Sequence, residues 1–148
     1  MTSDDAVRGL LDREEIVAVC VRYATALDSR DWPLLRTCFV PDAVGEYEGI
    51  GTLDGVAAIE EVCRGALEPL DASQHLLGNH TVEVAGDEAV AVCQLHAQHV
   101  RLGAEGGDLY VVAGSYTDRF RRTPDGWRIT HRHLAVTWTA GNPAVLQS

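Results

Sequence analysis

Residues 16–32 read IVAVCVRYATALDSRDW. From Ile16 to Val21 the segment is apolar nearly all round, which marks a helix that is buried inside other structure. At about 100° per residue, Val17, Val21, Ala24 and Asp28 fall on one narrow stripe, with Ile16, Cys20, Tyr23 and Leu27 on the stripe beside it. Both stripes are apolar until Asp28, which stands below Ala24 on a core-facing line. A carboxylate there is costly unless it is paired or hydrogen-bonded. Two readings stay open: Asp28 caps the Asp-Ser-Arg-Asp turn, or it faces an interior that other polar groups also reach. Asp31 is placed to cap a second helix opening at Trp32-Pro33.

Working outward, the first helix is predicted over about Asp12–Leu27 and the second over Trp32–Cys38. Val44–Tyr47 reads as a short strand broken by Gly49 and Gly51. Asp54 is placed to cap a third helix, Val56 to about Leu67, on the pattern Val56, Ile59, Val62/Cys63, Ala66/Leu67, with Pro69 ending it. Strands follow: His80–Ala85, Glu88 to about Arg101, Tyr110–Arg122 and Trp127–Thr139. Gly86-Asp87 and Thr123–Gly126 are the turns, residues 102–108 a loop, and Gly141 onward a loose tail. Three helices followed by a meander of long strands is an α+β order, with a curved, mainly antiparallel sheet wrapped around the helices. The last strand supports curvature. Its apolar face starts on odd positions (Trp127, Ile129) and ends on even ones (Leu134, Val136, Trp138), as a β-bulge between Thr130 and His133 would produce.

With 148 residues the chain suits one domain, whose core spans about residues 10–140. No apolar run approaches the ~20 residues of a membrane span, and the acidic N-terminus has no signal-peptide character, so the expected location is cytoplasmic. A net charge of −10 argues against nucleic acid or anionic membrane as a partner. Arg119, Arg121, Arg122, Arg128 and Arg132 read as a solvated strand face. Cysteines 20, 38, 63 and 93 are far apart in apolar surroundings, which suits reduced core residues rather than a metal or redox site. No metal and no cofactor is expected.

Alternation picks out the inward polar groups. In Glu88–Arg101 the odd positions Ala89, Ala91, Cys93, Leu95 and Ala97 are small or apolar and end at His99, so His99 faces in and His96 out. In the next strand Val111, Ala113, Ser115 and Thr117 share a face, read here as the inner one. Small side chains near one end of a sheet leave room for a cavity. Asp28, His99 and Ser115 each close an apolar series. His75 lies just before a strand, Tyr47 reads equally as core or pocket, and Tyr23 sits on the stripe beside that of Asp28.

The segments LDSRDWPLLRTC (27–38), EY (46–47), SQHLLG (73–78), QLHAQH (94–99), GSYTDRF (114–120) and DGWRI (125–129) together resemble the SnoaL-like group of the nuclear-transport-factor-like superfamily, closest to its scytalone dehydratase-type members. The resemblance spans about residues 10–140 and implies a cone-shaped sheet around three helices. It places a catalytic histidine at His75 and a buried aspartate at Asp28 paired with a second histidine, His99. It further implies a substrate-polarising tyrosine at Tyr47 and pocket residues at Ser115 and Thr117. Two positions depart: a second tyrosine of the dehydratases is Leu27 here, and their pocket asparagine is Thr117. Tyr23 matches a tyrosine that bile-acid dehydratase-like relatives place one turn earlier.

The expected activity is that of a cofactor-independent lyase or isomerase with a histidine base, acting on a small, hydrophobic, cyclic carbonyl compound. The alternatives are a non-catalytic binder of such molecules, or an accessory subunit resembling the small subunit of ring-hydroxylating dioxygenases. A homo-oligomer, dimer or trimer, is the expected assembly.

Overall fold

In the computed structural model, which describes residues 1–147, the first helix (α1, Ser3–Ser29) begins well before Asp12. Its extra turns rest on a capping box: Thr2 Oγ1 accepts the Asp5 N–H, and the Asp5 carboxylate accepts the Thr2 N–H, each at 3.1 Å. The helix is one-sided rather than buried all round. Ile16, Val19, Cys20, Tyr23 and Leu27 face the core, whereas Val21 is 49% exposed. The stripe that ends in Asp28 therefore runs along the margin of the buried face. The second helix (α2, Trp32–Arg36) has Pro33 in its first turn and Asp31 as its cap, accepting the Leu34 N–H at 3.0 Å. The third (α3, Val56–Leu67) buries Val56, Ile59, Cys63 and Leu67. Its N-cap is Gly55, at φ 92°, and not the expected Asp54; no side chain closes that end.

Six strands follow or intervene: β1 (Phe39–Tyr47), β2 (Gly51–Asp54), β3 (Ala72–Ala85), β4 (Glu88–Val100), β5 (Leu109–Thr123) and β6 (Gly126–Gly141). They form one sheet in the order β2-β1-β6-β5-β4-β3, antiparallel except where β1 runs parallel to β6. The sheet is curved and open. α1 packs against β3 and β6 and α3 against β1, filling the concave side. β1 is longer than predicted, and β3 starts at Ala72, so His75 lies within a strand rather than ahead of one. The tail is not loose: Pro143–Leu146 makes a 3₁₀ turn with Val145 fully buried.

Alternation in β4 is as read: Ala89, Ala91, Cys93, Leu95, Ala97 and His99 are buried, and Gln94 and His96 face outward. The expected bulge in β6 is present at Thr130, since Arg119 pairs with His131 and Phe120 with Ile129. A second bulge, unforeseen, skips Thr137 between the pairs Ala113–Trp138 and Gly114–Val136. It turns Trp138 outward, 48% exposed, where it had been assigned to the inner face. A side chain at Gly114 would strike the Ala135 carbonyl, so the close approach at this bulge requires glycine.

The inner face of β5 is the other one from that predicted. Cys93 points inward and pairs with Tyr116, which therefore also points inward, with Asp118 and Phe120 after it. Ser115 and Thr117 lie on the outer face. The basic cluster also needs correction. Arg132 is 0% exposed, and its guanidinium donates to both carboxylate oxygens of Asp118 at 2.8 and 2.7 Å, directly across the β5–β6 pair. It lies between the rings of Tyr23 and Tyr116, 4.0 and 3.9 Å from their centroids. Burial works against its charge, but the Asp118 carboxylate outweighs this and holds the guanidinium pKa well above its ordinary value. Arg122 likewise donates to both oxygens of the buried Asp12, and Asp12 also accepts from the indole N–H of Trp127. Cys20, Cys38, Cys63 and Cys93 are buried free thiols.

Candidate functional site

Between the concave face of the sheet and the helices lies a cavity of about 450 Å³. Leu27 of α1, Val62 and Leu67 of α3, Leu95 and Ala97 of β4 and Val112 of β5 make most of its wall apolar. Gly49-Ile50 and the tail residues Pro143 and Leu146 also border it. Four of the seven residues singled out from sequence line it: Tyr23, Tyr47, His75 and His99. Asp28 stands behind His75. Ser115 and Thr117 do not reach the cavity, because β5 presents its even positions inward.

The carboxylate of Asp28 pairs with His75 and not, as expected, with His99. Asp28 Oδ1 is 2.7 Å from His75 Nδ1, Oδ2 accepts the His75 backbone N–H at 2.7 Å, and the Ser73 hydroxyl donates to Oδ1 at 3.0 Å. The geometry explains the exchange of partner. His75 is on β3, against which α1 packs, whereas His99 lies one strand further into the sheet, opposite Ser73. The Asp28 side chain is 26% exposed, so it is half-buried rather than buried. Nor does it cap the following turn, since its carboxylate accepts from Ser73 and His75 instead. Burial pushes the Asp28 carboxyl up, but the hydrogen bonds from the His75 ring and backbone N–H, with the Ser73 hydroxyl, hold it below the ordinary carboxylate range. An ionised carboxylate can only accept, so His75 Nδ1–H donates, and in the neutral ring this leaves Nε2 as the acceptor.

His99 is oriented differently. Its Nδ1 lies 3.1 Å from the Tyr110 carbonyl oxygen, which also can only accept, so Nδ1–H donates and Nε2 is again the acceptor. Burial, joined by the nearby His75, lowers the His99 pKa from 6.5 to about 4. The ring is therefore neutral at pH 7. The two imidazoles meet edge to face with centroids 5.8 Å apart. Among the described residues neither Nε2 has a hydrogen-bond partner. His96 is on the far side of the sheet, against Trp138.

Across the cavity the hydroxyls of Tyr23 and Tyr47 are 2.8 Å apart, and that of Tyr23 is 3.5 Å from Cys63 Sγ. Burial raises the pKa of both tyrosines far above the ordinary value, which keeps their protons in place as donors. The site thus combines a carboxylate-braced imidazole, a second neutral imidazole and a protonated hydroxyl pair in apolar surroundings. Those groups can take a proton from carbon and hydrogen-bond an oxyanion. Among the described residues no group of three or more His, Cys, Asp or Glu side chains could hold a metal ion, and no helix is long and apolar enough to cross a membrane.

Tyr110, Tyr116 and Thr139 also line the cavity and were missed from sequence. For Tyr116 a signal existed: Val112, Tyr116 and Phe120 form a bulky series on the even face of β5. Thr139 had none, since the second bulge in β6 turns it inward.

A SnoaL-like domain family profile matches residues 8–133. An uncharacterized protein of Mycobacterium tuberculosis is 35% identical over 128 residues, covering 86% of each chain. The terrestric acid biosynthesis cluster protein E of Penicillium crustosum is 30% identical over 142 residues, covering 92% of this chain and 90% of that one. Among solved structures, a provisionally assigned scytalone dehydratase of Novosphingobium aromaticivorans superposes with a TM-score of 0.81 at 22% identity, covering 90% of this chain and 89% of that one.

Proposed function

For a chain that belongs to the SnoaL-like domain family, within the nuclear-transport-factor-like superfamily, we propose the activity of a cofactor-independent lyase or isomerase of dehydratase type. Its substrate is a small, hydrophobic, cyclic carbonyl compound. His75 Nε2 takes a proton α to the carbonyl, and the C–H electron pair moves into the enolate. Tyr47, its hydroxyl supported by Tyr23, donates to the enolate oxygen as charge develops there. Asp28 keeps His75 in the tautomer whose Nε2 is basic and stabilises the imidazolium that forms. Where the substrate carries a β-hydroxyl, the imidazolium returns the proton to it and water leaves. Where it does not, the proton returns to another carbon and the product is an isomer. His99, whose Nε2 can only accept, holds a substrate hydroxyl.

The observation that carries this reading is the 2.7 Å contact between Asp28 and His75 Nδ1 at the edge of an apolar cavity. The Penicillium relative is named for a biosynthetic cluster, which agrees with a small-molecule substrate. The test is proton NMR in D₂O on a panel of cyclic ketones and β-hydroxy ketones. The protein is expected to catalyse α-deuteration or dehydration of at least one, and His75→Asn to lose it while keeping the parent circular dichroism. Equal rates with the parent and His75→Asn would refute the reading. Binding of panel members without any turnover would place the chain with non-catalytic binders.

A further inference from the structure

Arg30, two residues past Asp28, ends α1 in the left-handed region at φ 57°, ψ 34°. Glycine is the usual occupant of that position, because a side chain there crowds the following carbonyl oxygen. What Arg30 does with its side chain sets it apart from a simple helix end. Its Nη1 folds back to donate to the Leu27 carbonyl oxygen and also donates to Ser73 Oγ, each at 2.7 Å. Ser73 has a single hydroxyl proton. An arginine can only donate, so its bond to Ser73 Oγ turns that proton away from Arg30. The proton goes to Asp28 Oδ1, 3.0 Å off. Each bond in the series Arg30 to Ser73 to Asp28 thus donates towards the carboxylate. Together with the His75 N–H on Oδ2, this fixes the carboxylate plane and leaves Oδ1 opposite His75 Nδ1.

We propose that Arg30 and Ser73 are positioning residues that aim the Asp28 carboxylate at His75. The proposal deepens the reading of His75 as the base and rests on it for its bearing on turnover. It concerns residues that touch no substrate: neither Arg30 nor Ser73 lines the cavity. A side chain kept in a strained backbone conformation, and spent on a serine oxygen, is accounted for by this task better than by helix capping. Glycine would end the helix without strain.

The test uses Arg30→Gly, Arg30→Lys and Ser73→Ala in the full chain, with two readouts. The first, needing no substrate, is the Asp28 titration midpoint from its carboxyl ¹³C shift. Arg30→Gly and Ser73→Ala are each expected to raise it by at least about 0.5 pH unit, since a hydrogen bond to the charged form is lost or loosened. Arg30→Lys, which keeps a cationic donor, is expected to restore part of the shift. Arg30→Gly should melt no lower than the parent, because the backbone strain is gone. The second readout is kcat against KM on whichever substrate the parent turns over: kcat is expected to fall several-fold with KM unchanged. An Asp28 midpoint that stays at the parent value in Arg30→Gly overturns the proposal, as does a loss of melting temperature as its sole effect. A chain that shows the midpoint shift but turns over nothing retains the positioning and loses only the enzymatic reading.

Discussion

The neutral state of His99 makes a quantitative demand on stability. In the folded chain its pKa is about 4, against 6.5 when exposed. Between those values the unfolded chain binds a proton that the folded chain does not, so stability is present above pH 6.5 and is lost as pH falls towards 4. At about 1.4 kcal/mol per pH unit, acidification from pH 7.5 to 4.5 removes roughly 2–3 kcal/mol through His99 alone. That is a large part of the total for an ordinary domain, roughly 5–15 kcal/mol. His80, which burial also depresses, acts in the same direction, and half-buried Asp28, held low, loses its contribution only below that window. A difference between two proteins cancels these. His99→Gln keeps an N–H for the Tyr110 carbonyl but cannot titrate. Urea unfolding of parent and variant at pH 7.5, 6.5, 5.5 and 4.5 should therefore give curves that converge, the parent losing roughly 2–3 kcal/mol more than His99→Gln by pH 4.5. Parallel curves would mean that His99 is solvated or already charged, and the acceptor role given to its Nε2 would fall with them.

Asp28→Asn should leave the fold intact but lower kcat by about 10²–10⁴-fold, because the imidazolium of His75 loses its counter-charge; steady-state kinetics with circular dichroism separates the two effects. Tyr47→Phe should reduce kcat about 10²-fold with a small change in KM, the size expected for one lost oxyanion donor, and an unchanged kcat would move that role to Tyr23. Asp118→Ala should cost about 3–5 kcal/mol in urea unfolding, since it leaves the Arg132 guanidinium charged and alone between two tyrosine rings. Replacing both members, Asp118→Leu with Arg132→Met, should restore most of that loss, and a double variant no better than the single would show that the pair itself stabilises the core.

Local periodicity determined much of this protein. The helix repeat of residues 56–67, the strand alternation that sends His99 in and His96 out, and the parity switch that marks the Thr130 bulge all depend on near neighbours in the chain. They were legible for that reason, and the resemblance to SnoaL-like proteins followed from segments of the same kind. Where both faces of a strand are mixed, the chain alone does not choose. Ser115 and Tyr116 compete for one interior, and the pairing of Tyr116 with inward-facing Cys93 decides between them. Whether Arg132 is solvated or buried follows from its register opposite Asp118, which the residue skipped at Thr130, earlier in the same strand, sets. Asp28 shows the division most clearly. Its place at the end of an apolar helix named it as a site residue, but two histidines lay within reach of an inward carboxylate. Which of them receives it depends on the strand against which α1 packs, and contacts made across 47 residues of chain settle that.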